Sequence, residues 1–180
     1  KWQQSKGITT LYTTTDYLEA FSMGDRIVIL NRGILLQIGE WKEIYNRPAH
    51  LIIGTIISDP HMNIFPGVVI SERDQLFIKV KDYTFNLSSE IKNQLQKTNI
   101  KEVIVGIFPS KVQVINGIAD KTSDSNNIVE GVVEFIESRG SRRIVFLKTP
   151  HDFTFTVQLQ LEKPIQIGEK MKCLFGKDDI

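Results

Sequence analysis

From Asn63 onward the chain is broken into short β-forming runs separated by polar turns, and this punctuation restricts the fold more than any other feature. Strands are predicted at residues 63–70, 75–80, 83–87, 102–108, 128–137, 142–149, 153–159 and 169–175, with residues 111–115 extended. In the seventh of these, Phe153, Phe155, Val157 and Leu159 alternate with polar residues, the period of a strand with one buried face. Many short strands with turn signals between them predict a small β-barrel or sandwich. One helical interlude, residues 88–95, opens on Ser88 and Ser89 as cap candidates. Residues 116–127 are polar without periodicity and are expected to form a mobile loop.

Before Ser58-Asp59-Pro60 the pattern is different. Lys1 to Lys6 reads as the end of a helix already under way, anchored by Trp2 and stopped by Gly7, which points to a fragment. Ile8 to Thr14 has the composition of a strand, and the adjacent Leu11 and Tyr12 suggest cover on both faces. Thr15 then marks a sharp turn. Asp16 followed by Glu19 is a capping-box pattern, with Tyr17, Leu18, Ala20 and Phe21 as the predicted buried stripe and Gly24 as the stop. Strands at 26–30 and 34–38 flank the tight turn Asn31-Arg32-Gly33, and two short helices are predicted at 41–46 and 49–57. A polar group between a buried strand and a helix is where α/β proteins place phosphate chemistry. The change of character predicts two domains, 1–59 and 60–180.

Composition removes several function classes. Lys+Arg number 22 against 21 Asp+Glu, so the net charge of +1 gives no long-range field for nucleic acid or anionic lipid. Neither a nucleic-acid partner nor direct membrane insertion is expected, and the apolar run Leu51 to Ile57 is too short to span a bilayer. The single cysteine, Cys173, cannot form an internal disulfide, which fits a reducing compartment. His50, His61, His151 and Cys173 lack ligand spacing, so no metal site is expected. Arg139, Arg142 and Arg143 around Gly140-Ser141 form a basic hairpin, read as an anion-binding tip or, more in keeping with the balanced charge, as a solvated turn. No G-x-x-x-x-G-K-[ST] phosphate loop occurs anywhere in the chain.

The residues around the Thr15 turn resemble a known family. The ATP-binding subunits of ABC importers of the sugar group (maltose, glycerol-phosphate and multiple-sugar uptake) read approximately T-T-I-Y-V-T-H-D-Q-x-E-A-M at this point. Thr9, Thr10, Tyr12, Thr14, Asp16, Glu19 and Ala20 match that pattern. Asp25-Arg26, Gly33, Gln37 and Gly39 fit the hairpin that follows, and Glu43, Ile44, Tyr45 and Pro48 fit its E-I-Y-x-x-P segment. Pro60, Met62 and Asn63 match a P-x-M-N junction. Beyond it, Val105-Gly106-Ile107 with Pro109, and Val129 to Val133 with Glu137 and Gly140, are similar to the appended OB-type domain called MOBE or TOBE.

The resemblance implies an α/β remnant of an ABC nucleotide-binding domain followed by an all-β OB-type barrel. It implies a regulatory and dimerisation region with no cofactor of its own; ATP and Mg²⁺ belong to the parent protein, an ABC-type ATPase or a degenerate partner of one. Expected partners are a second ATP-binding subunit and, through the parent, a membrane permease. The expected location is cytoplasmic, peripheral on the inner face of the cell membrane. Phe108, Pro109, Ser110, Arg139, Arg142 and Arg143 are the candidates for a regulatory or dimer interface. The chain departs from the family at Thr15, which stands where the switch histidine is expected; threonine cannot act as an acid or base near neutral pH. Phe108 and Ser110 replace the Arg and Glu of a G-I-R-P-E segment, and Trp41 replaces a proline. The competing reading is an OB-type module that binds an oxyanion, a sugar or nucleic acid directly.

Overall fold

A single hairpin organises the first of two structural units, Lys1–Ile57. The computed structural model describes residues 5–73, 75–115, 127–161 and 164–180. Trp2 and residues 116–126, most of the predicted polar loop, lie outside the described residues. In the hairpin, β1 (Ile27–Asn31) pairs antiparallel with β2 (Ile34–Gly39), and Asn31 faces Ile34 across a two-residue turn. Arg32 and Gly33 both take positive φ, 49° and 78°, the left-handed conformation whose twist matches that of the flanking strands. Ile27 and Ile29 are buried, while Val28 and Leu30 on the opposite face are exposed. Two short helices follow, α2 (Trp41–Asn46) and α3 (Leu51–Ile56). Gln37 on β2 holds the segment between them: its amide donates to the Arg47 carbonyl at 3.1 Å and accepts from the Ala49 N–H at 2.9 Å.

Two expectations fail in this unit. Residues 8–14 do not form a strand, and Leu11 is 90% exposed. A strand is a pairing, and no described residue offers this segment a ladder, whatever its composition. Helix α1 (Tyr17–Met23) forms as predicted but buries none of its predicted stripe. Phe21 is only half-buried and meets the rings of Tyr17 and Trp41 at 5.7 and 6.3 Å.

The second unit, Ser58–Ile180, carries the remaining strands. Its first half runs β3 (Asn63–Glu72), β4 (Gln75–Val80), β5 (Tyr83–Asn86), α4 (Ser89–Thr98) and β6 (Glu102–Ile107). Ser88 caps α4 by accepting from the Ile91 N–H, and Asn99 ends it at φ 49°. A 3₁₀ turn at Pro109–Lys111, which overlaps the predicted extended stretch only at Lys111, leads to β7 (Gln113–Ile115). The second half runs β8 (Ile128–Arg139), β9 (Arg142–Lys148), β10 (Thr154–Gln160) and β11 (Lys170–Leu174).

The two halves are copies of one motif. The first sheet has the order β5-β4-β3-β6, and the second has β10-β9-β8-β11 with β7 added at its edge. Asn63-Ile64-Phe65-Pro66-Gly67-Val68-Val69 recurs as Asn127-Ile128-Val129-Glu130-Gly131-Val132-Val133. Asp82-Tyr83-Thr84-Phe85 recurs as Asp152-Phe153-Thr154-Phe155. Register makes the correspondence structural: Val68 faces Lys79 as Val132 faces Lys148, and Ile78 faces Phe85 as Leu147 faces Phe155.

Both sheets contribute to one core, which includes Ile78, Phe85, Val105 and Ile107 from the first and Val133, Leu147, Phe155 and Cys173 from the second. Phe153 and Phe155 are therefore packing residues: Phe155 is fully buried and Phe153 meets Phe65 at 4.7 Å. Two asparagines join the sheets. The Asn63 amide accepts from the Thr156 N–H at 2.7 Å and donates to the Thr156 carbonyl at 2.8 Å. Asn127 does the same to Asn86, at 2.6 and 3.2 Å. Asn86 and Thr156 hold equivalent places opposite Phe77 and Phe146, so each half grips the other in the same way.

Burial gives Cys173 a measurable signature, since desolvation pushes its thiol from the ordinary 9.0 up to about 12. Below pH 9 the thiol is protonated whether the chain is folded or not, and it contributes nothing to pH dependence. Between 9 and about 12 the unfolded chain releases the proton and the folded chain keeps it, so stability falls as pH rises. The limiting slope is about 1.4 kcal/mol per pH unit. Urea midpoints measured from pH 8 to 11 should fall more steeply for the native chain than for Cys173→Ala. Parallel curves would contradict the assignment.

Candidate functional site

The turn that leads into α1 carries a small network of polar side chains. Asp16 is the N-cap of α1, and its carboxylate accepts from the Leu18 and Glu19 N–H groups. The return arm of the predicted capping box is not made. Glu19 instead accepts from the Tyr12 hydroxyl at 3.1 Å and the Thr14 hydroxyl at 2.8 Å, and Thr14 accepts from the Asp16 N–H at 3.0 Å. The bond to Glu19 holds the Tyr12 phenol above its ordinary pKa. Thr15 stands between these groups, exposed, and its hydroxyl makes no hydrogen bond among the described residues. Asp16 therefore does the capping that Thr15 could have done. Asp16→Ala should cost about 1 kcal/mol of local stability, read as faster amide exchange through α1, whereas Thr15→Ala should leave exchange unchanged.

The other candidate positions differ in how they face solvent. Phe108 and Pro109 are buried, which leaves Ser110 as the exposed member of that group. At the Gly140-Ser141 turn, Arg139 donates to the Glu137 carboxylate at 2.7 Å and also to Asp59. Those two carboxylates, Glu137 first, hold the guanidinium pKa above its ordinary value. Arg142 is exposed and Arg143 half-buried. His151 pairs with Asp82 at 2.7 Å, and no group of three His, Cys, Asp or Glu among the described residues is placed to hold a metal.

A concavity of about 580 Å³ lies in the second sheet, lined by residues of β8, the end of β9 and β11. Lys148, Lys170 and Lys172 meet there with Glu130 and Glu134. These lysines carry no signature in the linear sequence, because only strand register brings them together. The recurrence of Asn-Ile-x-x-Gly-Val-Val at 63 and 127 is a linear signal that marks the two asparagines joining the sheets and the β8 strand of the groove.

The full length of the chain matches the ATP-binding subunits of ABC sugar importers. It is 33% identical over 183 residues to the trehalose/maltose import ATP-binding protein MalK of Thermococcus litoralis, covering 100% of this chain and 48% of that protein. It is 30% identical over 158 residues to the trehalose import ATP-binding protein SugC of Mycobacterium tuberculosis, covering 87% of this chain and 39% of that one. The chain thus spans about half the length, or less, of the curated relatives it matches. No protein-family model matches it. Among solved structures it is similar to the cytoplasmic molybdate-binding protein ModG, with a TM-score of 0.54 and 16% identity over 65% of this chain and 92% of that one. That likeness establishes the OB-type fold of the β unit.

Proposed function

We propose that this chain is the regulatory and dimerisation region of the ATP-binding subunit of an ABC importer, of the sugar-uptake group. One observation carries the reading: a turn whose residues, Thr9 to Ala20, resemble the family pattern, in sequence continuity with an OB-type barrel, along a chain that matches an import ATP-binding subunit throughout. In the parent subunit ATP and Mg²⁺ are held by residues outside this chain, and hydrolysis is coupled to solute uptake through a membrane permease. The subunit is cytoplasmic and sits at the inner face of the membrane through that permease. The barrel holds two subunits together while their nucleotide domains open and close, which raises the effective concentration of each for the other. Ser110, Arg142 and Arg143 are the positions through which a second subunit or a regulator is contacted. Thr15 donates at most one hydrogen bond where the family places a histidine, so an intact partner subunit supplies the productive ATP site.

Sedimentation equilibrium and an ATPase assay on the purified chain test this. The expected result is concentration-dependent dimerisation with no ATP turnover. A chain that stays monomeric at every accessible concentration overturns the dimerisation role. A full-length parent that hydrolyses ATP as a homodimer at rates usual for the family overturns the degenerate-switch role of Thr15.

A further inference from the structure

Register sets the composition of the groove on the second sheet. Val132 of β8 lies opposite Lys148 of β9 on one side and opposite Lys170 of β11 on the other. Glu130, two residues earlier on the same face, lies opposite Lys172. Val132 is 39% exposed, so an apolar floor is flanked by two ammonium groups. Pro150 extends the apolar lining. The Lys172 charge is met by Glu130 at 2.7 Å. Lys148 is only loosely met by Asp152 at 3.8 Å, and Lys170 has no carboxylate partner among the described residues. With Glu134 also on the lining, three cations face two anions, and the lining is net positive by one charge.

The duplicated motif serves as an internal control. In the first half Val68 is flanked by Lys79 and Glu102, and Pro66 lies opposite Ile104. The motif therefore accepts Glu where the second half has Lys170, and Ile where it has Lys172. Strand pairing and core packing do not require lysine at either place.

We propose that this groove binds a small anion with an apolar body, a ring system carrying a phosphate, sulfonate or carboxylate. Its volume, about 580 Å³, is that of a small-molecule site. The ring rests on Val132 and Pro150 and against the lysine stems, which pack on apolar surface while their ammonium groups stay in water. The anionic group lies between Lys148 and Lys170. This site is independent of the transport reading and does not need a second subunit.

Titration of the whole chain with 1-naphthyl phosphate, followed by amide NMR, tests it. Binding should saturate, with the largest shifts at Gly131, Val132 and Met171. Lys148→Gln and Lys170→Gln should each weaken binding roughly five-fold, the loss of about 1 kcal/mol of attraction at a partly exposed site. Lys79→Gln, the matching change in the first half, should leave affinity unchanged. Inorganic phosphate binding as tightly as the naphthyl ester overturns the need for an apolar body. Neutral 1-naphthol binding as tightly overturns the need for charge. Shifts spread evenly over both halves overturn the site itself.

Discussion

Asn127→Ala is expected to destabilise Ser58–Ile180 by about 2–4 kcal/mol, and Asn63→Ala by a similar amount. Each side-chain amide acts as a missing piece of strand, accepting from the N–H and donating to the carbonyl of one residue on the opposite sheet. Asn63 is 5% exposed and Asn127 fully buried. Truncation strands one donor and one acceptor in each case, and each unsatisfied buried group costs about 1–3 kcal/mol. Asn→Asp at either position should not rescue stability at neutral pH. An ionised carboxylate still accepts but cannot donate, so it faces the Thr156 or Asn86 carbonyl with like charge. Urea unfolding of the four single variants checks this, and a loss under about 0.5 kcal/mol for either alanine would place the clip among ordinary surface contacts.

Gly67→Ala and Gly131→Ala should each cost about 1–3 kcal/mol, but only the first should be repairable. A Cβ on Gly67 would fall 2.7 Å from Cγ2 of Ile78, a side-chain methyl. Replacing Ile78 by leucine removes the branch at Cβ and keeps the volume, so Gly67→Ala with Ile78→Leu should recover part of the loss. A Cβ on Gly131 would fall 3.0 Å from both Cβ of Leu147 and the Lys148 carbonyl oxygen. Those atoms move only with the β9 backbone, so trimming Leu147 should give no recovery. Thermal unfolding of the single and double variants separates the two. Equal rescue at both positions would mean that the β8–β9 backbone yields more easily than its ladder implies.

Much of the β unit was legible because period-2 alternation and turn chemistry are local. Residues 75–80 and 41–46 form a strand and a helix with the predicted limits. The Asn31-Arg32-Gly33 turn forms because its two central residues adopt positive φ, at little cost for Gly33. Residues 8–14 failed as a strand for the opposite reason: their composition is local, but a ladder needs a partner. The α1 stripe failed in the same way, since Leu18 is 55% exposed with nothing described to cover it. At the turn before α1 the Asp16 cap was readable from the sequence, while the diversion of Glu19 to Tyr12 and Thr14 was not.

The linear sequence determined the family resemblance, the absence of a phosphate loop, the threonine at position 15 and the change to β structure near Pro60. Each depends on residue identity at short spacing. Tertiary structure decided that two similar stretches pair into sheets of one order, and that Asn63 reaches a backbone 93 residues away. It also decided that three scattered lysines share a groove. These depend on register, and a shift of one residue would turn every one of those side chains to the opposite face.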